Sequence, residues 1–525
     1  MTQTTTIKPT RAQKRSTRLA DPDHVSGFKI FTWAGAGLSA AVNFIVLGWL
    51  MLYGTDTLGL APAAIGGVIA ASQVFNAVGG LVAAYIVDRS PETKLGKARQ
   101  WEIAVPFIWV ATFALFATPT GFDSTGRLWW IAAMYILINA VFDPLLRAND
   151  TLYMARAFPT RRTYAKVQTR AGLIQLLFIL PFSVVLPMLL QRAGKDPVQW
   201  MITVGLVAVA MGVLGMTRFL GVKEIYRSVD DNEPPVKVRD MVHALRENRW
   251  IWLYSLLPLL AAMLTASAAS GYYFRYIVGN LGLQGVMAAL GFVILPVMLA
   301  IPWLMKRFSV SQIVLVSAAL GIVGNIVSSF ALGSLPVLIV GGLIAAVAPL
   351  PVSYTGAVFI LDLCTYNEWK GNRRLESTIS SFSGIFNKLG AAAMALIVGF
   401  VLQQAGYDGT LATQPASALA AINVLAYVLP AGGWLLVVAL MWFYGRFDRG
   451  ILPTIQHEVD ARRQALGLRP ATPMADTDAD GSIEAGELPV PGLAVGASGL
   501  LTDTEPLTNE VGLVTGAPTE PDPRP

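Results

Sequence analysis

"VDRSPETKLGKARQW", residues 87–101, is a charged island in an apolar chain. Asp88, Arg89, Glu92, Lys94, Lys97 and Arg99 crowd into it, whereas 64–87 carries no charged residue and 102–119 carries only Glu102. The flanking runs explain the island. Of 525 residues 54% are hydrophobic and 14% charged, with a mean hydropathy of +0.55, against roughly 25% charged in soluble domains. A helix of about 20 apolar residues crosses about 30 Å of hydrocarbon. Twelve such runs are predicted, at 30–53, 64–87, 102–119, 128–146, 170–190, 198–219, 250–278, 285–305, 311–333, 336–362, 377–403 and 418–445. Gly and Pro interrupt them, a pattern that transport helices tolerate because buried neighbours satisfy the freed backbone groups. The chain reads as an all-α polytopic membrane protein.

Charge then predicts orientation, because Lys and Arg accumulate in loops that stay cytoplasmic. With the island go 147–169 (Arg147, Arg156, Arg161, Arg162, Lys166), 220–249 (Lys223, Arg227, Lys237, Arg239, Arg246, Arg249), Lys306 with Arg307, and 366–376 (Lys370, Arg373, Arg374). The alternate loops near 54–63, 279–284 and 405–417 contain neither residue; Arg127, Arg192 and Lys195 are the exceptions on that side. Both termini are expected in the cytoplasm and the protein in the cytoplasmic (inner) membrane. The arm 1–27 is polar and basic without the apolar core of a signal peptide, and is expected to be disordered. The pI near 9.3 follows from the loop bias and does not call for nucleic acid, whose readers need a basic folded face.

Several chemistries lack their residues. Cys364 is the single cysteine, so no disulfide framework or thiolate cluster can form. His24, His243 and His457 all fall outside the predicted spans, and no phosphate-binding glycine loop is present. With no nucleophile–base pair either, an enzyme is not expected.

The longest internal polar stretch, 220–249, divides the spans six and six. Two six-helix halves joined by a polar linker are the organisation of major facilitator transporters, whose bundles rock about a midplane site. The predicted domains are the arm 1–27, a bundle 28–219, the linker 220–249, a bundle 250–446 and a disordered tail 447–525. In detail, "DRSPETKLGKARQW" resembles the loop after the second span in the glycoside–pentoside–hexuronide:cation symporter family, the melibiose permease group, through Asp88, Arg89, Lys94, Gly96, Lys97, Arg99 and Trp101. Ser90 and Gln100 depart from that pattern, and one residue is extra near Pro91–Glu92. "DLCTYNEWKGNRRLESTISSFSGIFNKLG", 362–390, is similar to the family's stretch between spans 10 and 11 through Asp362, Tyr366, Glu368, Lys370, Arg374, Glu376, Lys388 and Gly390. "YGTDTLGL" and "AGYDG" fit as well.

The resemblance implies a major facilitator fold of twelve transmembrane helices in two six-helix bundles and cation-coupled sugar transport, yet it fails where the cation would bind. Family members carry two carboxylates one turn apart in span 2, where this chain has Asn76 and Gly80; a span-1 acid is replaced near Ala40. Hard cations need several oxygen ligands with anionic help, so Na⁺ dependence is expected to be weak. Gln73, Asn76 and Gly80 still share one helical face. In span 4, Asn139, Asp143 and Arg147 recur every four residues beside Pro144. An ionisable group inside a span costs roughly 2.5–3.5 kcal/mol on insertion scales and marks a functional candidate; the structural alternative is an Asp143–Arg147 pair that neutralises itself. Arg170 aligns with a family arginine that faces the sugar. Lys388, about twelve residues into span 11, aligns with a functionally important family lysine, and its expected partner is Asp143, because a buried ammonium needs an anion or loses its proton.

Asp88, Arg89, Lys97, Arg99, Asp362, Glu368, Arg374 and Glu376 lie at cytoplasmic span ends and are expected to form gate ion pairs. Tyr254, Tyr272 and Tyr354 are candidate sugar platforms, although aromatic belts account for most membrane tyrosines. Arg275 reads as an interfacial charge. In the tail, "DTDADGSIEAGE" (476–487) places Asp476, Asp478, Asp480 and Glu487 as in a calcium loop, but its flanks are poor helices and no Ca²⁺ role is expected. The expected function is alternating-access import of a sugar or glycoside, coupled to H⁺ rather than Na⁺, by a lipid-embedded monomer that needs no cofactor. The alternatives are an uncoupled facilitator or exchanger, and a transporter or exporter of a non-sugar solute.

Overall fold

The computed structural model describes residues 25–158, 161–224, 243, 245–265, 268–291, 295–372 and 374–465. Among them every regular element is helical, and the one isolated bridge, Thr93 to Gly96, lies in the charged island. Ten helices are long and apolar enough to cross a membrane, which agrees with a multi-pass protein. The other two predicted spans are shorter. The third is Ala104–Phe116, 13 residues or about 20 Å at 1.5 Å per residue, entered through the 3-10 turn Arg99–Ile103. The eighth is described as two helices, Gly282–Leu290 and Leu295–Met305.

Three spans carry a π-helical turn: Tyr53–Thr57 ends the first, Leu137–Phe142 interrupts the fourth and Val424–Val428 the twelfth. Such turns concentrate at functional sites because they free backbone groups and re-aim side chains. Asp143 starts the stretch that follows the second of them within one continuous span, and Pro144 beside it leaves a carbonyl of the preceding turn without its N–H, which fits a π turn at this point.

Among the described residues, the apolar core that the two halves share lies at one end. At the end opposite the basic loops, a single apolar core takes Leu50, Tyr53 and Trp200 from the first half together with Tyr272, Leu402, Tyr407 and Leu425 from the second. At the basic end the cores are separate, one built on Ile30, Trp33, Tyr153 and Phe158 and the other on Trp250, Phe359, Tyr444 and Phe447. Glycines permit the shared contact. A Cβ on Gly66 in the second span, Pro62–Arg89, would meet the Ala395 carbonyl oxygen at 2.5 Å, and one on Gly399 in the eleventh, Glu376–Gln404, would meet that of Pro62 at 2.6 Å. The result is a wedge, closed at one end and open at the basic end.

One expectation about a polar segment changes. The tail was expected to be disordered from 447, but residues 452–465 form the helix Leu452–Ala465. Leu452, Ile455 and Val459 fall on one face of it and are buried, so this segment has an apolar stripe to pack. Arg463 ties it to Glu368 (2.7 Å), and Glu458 accepts from the Trp369 indole (2.7 Å). The first residues after the sixth span are also held. Glu224 accepts the backbone N–H groups of Lys97, Ala98 and Arg99 at 3.2, 2.8 and 2.6 Å, so the start of the linker fixes the charged island.

Candidate functional site

The site forms where the second, fourth and eleventh spans converge, at the last polar contact before the wedge opens. Asn76 and Lys388, expected on facing spans, are in contact: the Lys388 ammonium donates to the Asn76 side-chain oxygen. An ammonium only donates, so the amide must turn its oxygen to Lys388 and its NH₂ the other way. That NH₂ faces Asp143, with Nδ2 3.5 Å from Oδ2. Asp143 in turn accepts from Arg147 Nε through both oxygens at 2.8 Å. Asp143 is therefore bound to Arg147 and reaches Lys388 only through the amide, which corrects the expectation of a direct Lys388–Asp143 pair. The physical reason is placement: Arg147 sits one turn along the same helix as Asp143, and the Asn76 amide stands between the carboxylate and the ammonium.

Beyond this contact the halves part. Gly80 lies one turn from Asn76 toward the basic end, Gly384 one turn from Lys388 in the same direction, and a Cβ on either would meet nothing within 4 Å. Gln73 is half-buried on the same span. Asn139 donates back to the Tyr135 carbonyl (2.9 Å), inside its own helix. Arg170 is exposed on the fifth span.

At the closed end a second polar cluster joins the halves. Asp56, in the π turn of the first span, has a fully buried side chain and pairs with Arg275 Nε at 3.1 Å. Tyr276 donates to the same oxygen, Oδ2 (2.7 Å), Tyr407 donates to the other, Oδ1, and Thr55 bonds the Tyr272 hydroxyl at 2.9 Å. Lys195 reaches the carbonyls of Gly409 (2.5 Å) and Leu411 (2.9 Å) across the same divide. A charge sealed from water is held only when paired and hydrogen-bonded, and Asp56 has four such partners, three of them from the second half and Thr55 beside it.

The expected gate residues are not brought together across the halves. Arg374 pairs with Glu368 and Glu376 (2.9 Å each), and Asp362 accepts from Gln456 (3.4 Å), all within the second half. Arg99 donates to the Phe219 carbonyl (2.7 Å), Arg89 lies over the Tyr85 ring, and Lys97 is held through its backbone. The side chain of Asp88 lies outside the described residues. Two of the three candidate platforms are also corrected. Tyr254 is packed at 5.3 Å from Phe359 inside the second half, and Tyr272 is sealed in the Asp56 cluster, so neither offers a ring face to a solute here. Tyr354 is half-buried. The calcium-loop candidates Asp476, Asp478, Asp480 and Glu487 lie outside the described residues; within those residues no group of three or more His, Cys, Asp or Glu could hold a metal.

This geometry can be set beside known proteins. A family model described as MFS/sugar transport protein matches residues 31–445. The chain belongs to the MFS/sugar transport protein family. It is 25% identical to the isoprimeverose transporter of Lactiplantibacillus pentosus over 429 residues, covering 79% of this chain and 88% of that one. It is 23% identical to the glucuronide carrier protein homolog of Escherichia coli (strain K12), covering 79% and 91%. Among solved structures, the nucleoside transporter NupG matches with a TM-score of 0.57 at 12% identity, over 79% of this chain and 98% of that one, which speaks for the fold alone. As an MFS/sugar transport protein the chain is a membrane transporter and not an enzyme, and the resemblance carried by the charged island and by 362–390 holds.

For a member of this family, Asp56 and Arg275 were the residues missed. Asp56 stood in view within "YGTDTLGL", and Arg275 read as interfacial. The signal was symmetry: Asp56 ends the first span of one half and Arg275 ends the first span of the other, with opposite charges. A second missed cluster, Glu102 with Arg218 (2.6 Å) and Asn149 (3.0 Å), is buried within the first half, and Arg218 also reaches Asp150 (2.7 Å). It braces the third, fourth and sixth spans away from the site.

Proposed function

We propose that this MFS/sugar transport protein imports a sugar or glycoside across the cytoplasmic membrane as a monomer, with both termini in the cytoplasm, by alternating access coupled to H⁺ rather than Na⁺. The observation that carries the coupling is the contact between Lys388 and Asn76. Where the family resemblance calls for carboxylates at 76 and 80, this chain offers an amide already bonded to an ammonium and a glycine. At those two positions a hard cation would find one neutral ligand beside an ammonium, and the nearby Asp143 is bound to Arg147, a poor site for Na⁺. The family's sugar-carrying relatives support the substrate class, and the basic loops at the open end of the wedge support a cytoplasm-facing opening.

Uptake of labelled sugars into vesicles, under an imposed Na⁺ or H⁺ gradient at fixed membrane potential, tests this. Accumulation should follow the H⁺ gradient and stay within about twofold when Na⁺ replaces choline. Strong Na⁺ stimulation overturns the coupling, and counterflow without accumulation identifies a facilitator instead.

A further inference from the structure

We infer that a groove between the seventh and eleventh spans, at the end of the basic loops, binds an anionic phospholipid, with its headgroup on Arg249 and an acyl chain along aromatic walls. The seventh span opens with the helix Arg249–Thr265, and the eleventh is Glu376–Gln404. Between them lies a cavity of about 400 Å³ lined by Arg249, Trp250, Trp252, Leu253, Leu256 and Phe386. Its walls are held in place: the Trp252 indole donates to the Leu245 carbonyl (2.8 Å), and its ring meets Phe382 and Phe386 edge to face at 4.9 and 6.1 Å. Trp252 and Leu256 nevertheless stay 49% and 40% exposed. The groove ends deeper in, where Asn387 donates to the Pro258 carbonyl (3.3 Å) and a Cβ on Gly390 would meet the carbonyl of Leu259.

Position and charge name the occupant. Phe386 stands two residues from Lys388, about 200° round a helix of 3.6 residues per turn, so the groove lies on the side of the eleventh span turned away from Asn76 and the first half. A groove there is filled from the bilayer and not from the wedge. Leu256 is seven residues, or about 10 Å, deeper than Arg249, which puts the guanidinium at headgroup level and the apolar walls at acyl level. Among the described residues Arg249 pairs with no carboxylate; its guanidinium lies 4.9 Å over the Trp250 ring and lines the mouth of the groove. Arg246, three residues earlier, is exposed as well. A guanidinium binds phosphate through parallel N–H donors, and Arg249 opens its helix, where free N–H groups and the dipole also favour an anion. A zwitterionic lipid brings its own cation to the same place and gains less. Arg307 supplies the contrast: it lies 4.8 Å over Trp303 at the same end but lines no part of this groove.

The purified full-length protein in lipid nanodiscs tests the inference, with phosphatidylcholine alone or in equal mixture with phosphatidylglycerol. Two quantities are read: the melting temperature, and the ratio of the two lipids that stay with the protein after re-extraction into detergent, measured by mass spectrometry. Phosphatidylglycerol should raise the melting temperature by several degrees and be retained about fivefold over its share of the mixture, the scale of one basic group against an anionic headgroup. Arg249→Gln should bring that ratio close to one, Arg249→Lys should keep most of it, and Arg307→Gln should leave it unchanged. Leu256→Trp, which fills the groove while keeping Arg249, should lower it as well. The wild-type comparison stands even where a variant fails to fold. Equal retention of the two lipids by the wild type overturns the inference, as does a preference that survives Arg249→Gln. Inorganic phosphate raising the melting temperature equally in phosphatidylcholine alone would assign the site to a free anion and overturn it too. A melting temperature lowered by Arg249→Gln to the same extent in both nanodiscs would mean that protein, and not lipid, occupies the groove.

Discussion

At the residue scale the protein turns on what occupies position 76. An aspartate there would face an ammonium and form a second ion pair; an asparagine instead bridges Lys388 to the already paired Asp143. Restoring the acids should restore a cation site. The double variant Asn76→Asp, Gly80→Asp places two carboxylates one turn apart, and the second has room because a Cβ at Gly80 meets nothing within 4 Å. We expect it to gain Na⁺-stimulated uptake of at least about threefold, read as the ratio of initial rates in Na⁺ and choline media; an unchanged ratio would show that the amide is not what excludes Na⁺. Breaking the relay should also be costly. Asp143→Asn leaves the Arg147 guanidinium without its carboxylate, and removing one partner of a buried pair costs about 3–5 kcal/mol, less where solvent enters as it does here. Concentrative uptake should fall by about tenfold or more while the protein still reaches the membrane.

At the element scale, the closed end and the terminal helix each make a separable claim. Asp56 and Arg275 lie on different halves, so their bond exists only while that end is shut. Asp56→Asn should release it and raise the population open at that end. Cys364 is the one cysteine in the sequence and is buried, so a reporter cysteine has little background. Leu402→Cys, fully buried in the shared core, should react with a membrane-impermeant maleimide about tenfold faster in the Asp56→Asn background. Equal rates would mean the ion pair does not hold the seal. The helix Leu452–Ala465 is tested by truncation. Ending the chain at 465 keeps the buried Leu452, Ile455 and Val459, whereas ending it at 451 strips them and removes Arg463 from Glu368. Each buried aliphatic side chain is worth roughly 1.5–3 kcal/mol, so the shorter chain should melt several degrees lower, and the longer one should melt as the full-length protein does.

At the scale of the whole molecule, transport requires the shared core to open and the separate cores at the basic end to approach. The glycine contacts between the second and eleventh spans set how tightly the closed end shuts. Gly399→Val inserts side-chain atoms where even a Cβ meets the Pro62 carbonyl at 2.6 Å. It should slow uptake by about tenfold while leaving thermal stability within a few degrees, because the added bulk faces the divide between halves and not the interior of either. Loss of folded protein would place the contact inside a bundle core instead.

Much of this was legible along the chain. Local composition determined the membrane class and the helical, apolar stretches, because the cost of exposing polar backbone and charge to hydrocarbon acts on each segment by itself. Motif spacing in the island and in 362–390 determined the family. Lys388, Asn76 and Asp143 could be named as candidates because ionisable or amide groups inside apolar runs stand out. What the sequence could not determine was who meets whom. The choice of Asn76 over Asp143 as the partner of Lys388, the burial of Asp56 against Arg275 and two tyrosines, and the confinement of the Glu368–Arg374–Glu376 network to one half all join residues far apart in the chain. Only the packing of helices brings those groups within hydrogen-bonding distance, and electrostatic pairing at that range depends on geometry that no segment encodes alone.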